Sequence, residues 1–122
     1  MATHALIERA DCALLVIDVQ DYFLNKLPEA ERGPLVARIG WLMRVARELD
    51  IPILATAEDV ANDGPLVPDL SALLPGGQTA FDKHVFGLGD QADIAAAVRR
   101  LRRGTFVLAG LETDVCIAHS AL

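Results

Sequence analysis

At 122 residues, 52% of them hydrophobic and with a mean hydropathy of +0.33, the chain is long enough for one small domain with one core. It is too apolar to read as a disordered segment. Seventeen acidic residues against eleven basic ones give a net charge of −6 and a pI near 4.9, which speaks against nucleic acid or an anionic membrane as partner.

The first apolar run, Ala13-Leu-Leu-Val-Ile-Asp-Val19, predicts a strand covered on both faces. It is too short for a signal peptide core, and no segment approaches the roughly 20 apolar residues of a membrane span. Leu35, Ile39, Leu42, Ala46 and Leu49 then recur at helical spacing, with Pro34 suited to a first turn and Asp50-Ile51-Pro52 to a stop. Ile51 to Ala57 reads as a second buried strand. From Glu58 to Asp90 the pattern breaks into turn signals, with one helical turn expected about Asp69 to Leu74, and a long irregular stretch in a small domain usually serves function. Ile94, Val98 and Leu101 mark a second helix over residues 90 to 102. The basic run Arg99 to Arg103 complements that helix's C-terminal dipole. Thr105 to Leu111 is a third strand, and a helix follows from about Asp114 with Thr113 as its cap. The alternation predicts a single α/β domain with a parallel sheet.

Three polar residues stand out against this framework. Asp18 interrupts the first strand one residue before its end, where parallel sheets open their ligand crevice. Lys83, one of two lysines, sits in the short run Thr79 to Phe86 that leaves the long loop. Cys116 falls in the first turn of the last helix, where a dipole and a nearby cation favour the thiolate. These effects, opposed by the Asp18 carboxylate, predict a thiol pKa between about 5 and 7.5. A thiol, a carboxylate base and a cation together can activate a nucleophile. Lys83→Met is therefore expected to cost far more activity than stability. His119 offers a second partner for the thiol, three residues on along the helix. Cys12, at the start of the first strand, reads as structural. Two cysteines make no disulfide framework, so the chain reads as soluble, cytoplasmic and reduced.

The segments Leu15-Val-Ile-Asp-Val-Gln-Asp-Tyr-Phe23, Phe81-Asp-Lys-His-Val-Phe86 and Leu108 to Leu122 resemble the three signature stretches of the isochorismatase-like cysteine hydrolases, in order and in spacing. The resemblance implies a three-layer α-β-α fold, a triad of Asp18, Lys83 and Cys116, and an oxyanion hole from backbone N–H groups of Leu111, Glu112 and Cys116. It further implies a cis peptide at or beside Leu111-Glu112. Tyr22, Phe23 and Phe86, adjoining these segments, are expected to wall the substrate site. The metal-binding histidines of the nicotinamidase branch have no counterpart in Thr56 to Asp63, so neither a metal nor another cofactor is expected. The implied activity is hydrolysis of a small amide or carbamoyl substrate through a thioester. A vinyl ether hydrolase and a non-catalytic module of the same fold are the alternatives. Family chains continue beyond the point where this one stops, so the domain is expected to be incomplete. A homo-oligomer, or a longer polypeptide, is expected to cover the apolar third strand.

Overall fold

The computed structural model describes residues 6–121, apart from the side chains of Thr113 and Asp114. Four strands form one parallel sheet: β1 (Cys12–Ile17), β2 (Ile53–Glu58), β3 (Phe81–Lys83) and β4 (Thr105–Gly110), in spatial order β3-β2-β1-β4. The helices are α1 (Asp21–Leu24), α2 (Glu29–Glu48), α3 (Val60–Asp63), α4 (Pro68–Ser71), α5 (Ala92–Arg100) and α6 (Ala118–Ala121). The expected α/β architecture is present. The shortest strand, β3, is three residues long and lies within the run Thr79 to Phe86.

Strand residues alternate between the two sheet faces, and each face has its own core. Leu14 and Val16 of β1, Ile53, Ala55 and Ala57 of β2, and Val107 and Ala109 of β4 pack with Ile39, Met43 and Ala46 of α2. Leu15, Ile17, Leu54, Phe106 and Leu108 pack on the other side with Ile94 and Val98 of α5 and with Cys116. The central strand β1 is buried at every position, whereas β4 is only partly buried throughout. That gradient follows from the strand order: among the described residues β4 is an edge with no strand on its outer side.

The helix α2 begins at Glu29, five residues before Pro34, so the proline lies inside it rather than opening it. Arg32 stitches this entry by donating to the carbonyls of Leu27 and Asn25. At the other end Asp50 adopts a left-handed φ of 57°, and Ile51 N–H reaches back to Ala46 O at 2.8 Å, the hydrogen-bond pattern of a Schellman stop.

Gly110 closes β4 against β1. A Cβ there would lie 2.2 Å from the carbonyl oxygen of Ile17, so the two strand ends approach more closely than any side chain permits. Gly110→Ala should therefore destabilise by about 1–3 kcal/mol through forced strand separation. Because it also pushes Asp18 away from the β4 turn, activity should fall with it. Urea unfolding alongside a rate assay checks both.

Candidate active site

Asp18 follows β1 directly and holds a left-handed φ of 56°. Such a conformation costs a non-glycine residue about 1–2 kcal/mol and persists where its surroundings dictate it. Its N–H donates to Thr56 O at 3.0 Å, and its Oδ1 accepts from Thr56 Oγ1 at 2.8 Å. Its Oδ2 lies 3.0 Å from the Lys83 ammonium, and both side chains are fully buried. That contact is an ion pair, since Oδ2 accepts no hydrogen bond of ordinary geometry. The ammonium instead donates to the carbonyls of Val85 and, at 3.1 Å, Phe86. A lysine without solvent thus receives neutral acceptors from its own loop and counter-charge from Asp18.

The sheet register explains how these groups meet. Thr56 pairs with Ile17 and with Phe81, and Glu58 pairs with Lys83. Positions 56 and 58 of β2 and 81 and 83 of β3 therefore share the sheet face that packs against Cys116. The apolar positions between them serve the opposite core.

Cys116 belongs to a single π turn, Thr113–Ile117, that leads into α6. Its thiol is 1% exposed and lies 3.6 Å from Glu58 Oε2. One donor atom each from Asp18, Glu58 and Cys116 falls within 4.8 Å of the others, the group among the described residues that is placed to hold a metal ion. The thiol pKa is pushed up to about 12, first by burial and then by the Asp18 carboxylate beside it. Lys83 pulls it down and Glu58 adds to the rise. The expected value between about 5 and 7.5 is thus overturned. The helical segment is too short to contribute a strong dipole, and it points the sulfur at two carboxylates rather than one. The side chain of Thr113, the expected cap, lies outside the described residues.

A cleft of about 280 Å³ opens beside the sulfur, lined by Tyr22, Phe23 and Phe86 together with Lys26, Glu58 and Glu112. The three aromatic residues named from the sequence therefore do stand around Cys116. Tyr22 and Phe86 are half-exposed and Phe23 is buried, its ring edge-on to Tyr22 at 5.1 Å. Leu111 is buried at the end of β4 and packs into the α2-side core, while Glu112 reaches the cleft and pairs with Lys26 at 3.3 Å.

The expected cis peptide is not there. Every peptide bond among the described residues is trans, and Glu112 turns the chain through a left-handed φ of 56° instead. His119 is exposed and tilts over the Phe86 ring at 5.7 Å, away from a dyad with the thiol. Cys12 is buried at the foot of β1, as a structural cysteine should be.

Two residues of the site escaped the sequence. Glu58 sits beside the thiol, and Gln20, fully buried, holds Glu58 in place. The Gln20 amide donates to Glu58 O at 2.8 Å and to Gly64 O at 2.7 Å, and accepts from Glu58 N–H at 2.7 Å. The signal for Glu58 was its spacing from Thr56, two positions along one strand face.

Comparison with known proteins shows the family and the fold. The probable hydrolase YcaC of Escherichia coli is 28% identical over 120 residues, spanning 98% of this chain and 58% of its own length. The structure of YcaC from Pseudomonas aeruginosa with hexane-2,5-diol and covalent acrylamide superposes with a TM-score of 0.83 at 26% identity, over 98% of this chain and 60% of that one. The Escherichia coli YcaC structure, described as an octameric hydrolase of unknown specificity, has the same fold, with a TM-score of 0.84 at 24% identity, over 99% of this chain and 60% of that one. The chain thus spans a little over half the length of these relatives. The isochorismatase domain model matches residues 12–122, and the chain belongs to that hydrolase family.

Proposed function

We propose that this chain is a cysteine-dependent hydrolase acting on a small amide or carbamoyl substrate. The observation that carries the reading is a thiol facing a buried Asp18–Lys83 pair at the floor of a cleft. A relative whose structure holds covalent acrylamide adds support.

The thiol rests protonated, so it is activated during attack rather than stored as thiolate. As Cys116 Sγ bonds to the substrate carbonyl carbon, its proton passes to the Asp18 carboxylate. The developing oxyanion takes hydrogen bonds from backbone N–H groups among Leu111, Glu112 and Cys116. Collapse breaks the C–N bond, and the leaving nitrogen collects the proton from Asp18. Water then attacks the thioester, gives a proton to Asp18 and, through it, returns the thiol. Lys83, 3.0 Å from Asp18, holds the carboxylate in place between these transfers.

An acyl adduct of substrate mass should appear on the Cys116 peptide and vanish in Cys116→Ala, with turnover reduced to background. Turnover that survives the substitution rules the mechanism out.

The working unit is proposed to be a homo-oligomer in the cytoplasm. The half-buried edge strand β4 and the octameric state of the Escherichia coli relative both favour assembly. Among the described residues no helix is long and apolar enough to cross a membrane.

A further inference from the structure

The walls of the cleft carry a charge pattern that bears on the substrate. Glu58, Asp63 and Glu112 line it, and Lys26 is the one cation among its lining residues, a formal charge of −2 with the thiol protonated. The Asp18–Lys83 pair beneath is neutral overall. Tyr22 and Phe86 offer half-exposed aromatic surface at the same opening.

The chain already seats a cation in this corner. The Lys26 ammonium lies 5.1 Å from the Tyr22 ring centre, 5.0 Å from that of Phe23 and 3.3 Å from Glu112 Oε1. Aromatic faces beside a carboxylate form a recognition site for ammonium and guanidinium groups. The lysine side chain is 54% exposed, so little packing holds it there and an incoming cation can displace it. An anionic substrate meets the reverse situation. Its only lining cation is committed to Glu112, and two further carboxylates repel it.

We propose that the site selects small cationic substrates: amide or carbamoyl compounds with an ammonium or guanidinium group a few bonds from the carbonyl. The inference rests on Cys116 being the reactive group. Glu58 and Asp63 would hold the positive charge, with the Tyr22 and Phe86 rings across from them.

Alkylation of Cys116 separates the two ideas without needing the true substrate. Rates with 2-bromoethylammonium, iodoacetamide and iodoacetate are measured on the full protein, each normalised to the same reagent's rate with a small free thiol. Peptide mass mapping distinguishes Cys116 from Cys12. The normalised preference for the cation over the anion should be about tenfold or more, as expected for a cleft lined by one sign of charge. It should shrink at 1 M salt, where screening acts within about 3 Å. Asp63→Asn should lower the preference and Lys26→Met should raise it, so the two variants move the same readout in opposite directions. A reactive but charge-blind thiol, or one that favours iodoacetate, overturns the cationic substrate while leaving the nucleophile standing. A Cys116 that reacts with no reagent until the protein is unfolded overturns both.

Discussion

Lys83→Met should cost the folded state about 3–5 kcal/mol, the penalty for leaving a buried carboxylate without its partner. Asp18 and Lys83 are both without solvent and 3.0 Å apart, so neither can recruit water when the other is removed. Activity should fall at least a hundredfold in the same variant, because the base loses the partner that positions it. The expectation that this substitution spares stability is therefore revised, because the structure buries Lys83 completely against Asp18. Adding Asp18→Asn to Lys83→Met should restore a good part of the stability and none of the activity, since the second change removes the orphaned charge. Urea unfolding of the two single variants and the double variant measures the coupling. Independent, additive losses would show that the pair does not act as a unit.

The second large effect concerns alkaline pH. With its pKa raised from 9.0 to about 12 in the fold, the Cys116 thiol binds its proton more tightly when native than when unfolded. Its contribution to stability is complete below pH 9 and is lost as pH rises from 9 toward 12, at about 1.4 kcal/mol per pH unit. Cys116→Ala should flatten the pH dependence over that range. Iodoacetamide should report the same proton, with native Cys116 reacting far more slowly at pH 8 than an ordinary thiol. A midpoint for alkylation below 9 would contradict the burial and carboxylate contacts described for the sulfur.

The sheet and its direction were legible because β1, β2 and β4 are apolar runs longer than any turn tolerates, and Asp18 and Cys116 mark the ends of two of them. Lys83 stood out as one of two lysines, and motif resemblance then made it a triad member, although its strand is only three residues long. Glu58 was not legible for a different reason. In the sequence it opens a stretch dense with turn residues, and only the pairing of β2 with β3 makes it the last strand residue facing the thiol. The thiol pKa failed on the same ground. A cysteine's local helix and nearest motif cation can be read from the chain, but the number of carboxylates within reach of its sulfur is a property of the assembled sheet edge.

At Asp18 the left-handed turn takes the backbone of β1 out of the sheet, and two residues later the Gln20 side chain takes over. Its amide presents one acceptor and two donors to Glu58 and Gly64, so a side chain continues the ladder that the main chain abandons. The stretch from Glu58 to Leu66 is thereby fastened to the first strand at a fixed distance, reinforced by the bridge between Gln20 and Leu66. Position 20 consequently tolerates neither charge nor shortening. A glutamate there would set a carboxylate against two carbonyl oxygens, and an asparagine would fall a methylene short of them. An added residue between Asp18 and Gln20 would uncouple the clasp from the turn and let Glu58 drift from the sulfur.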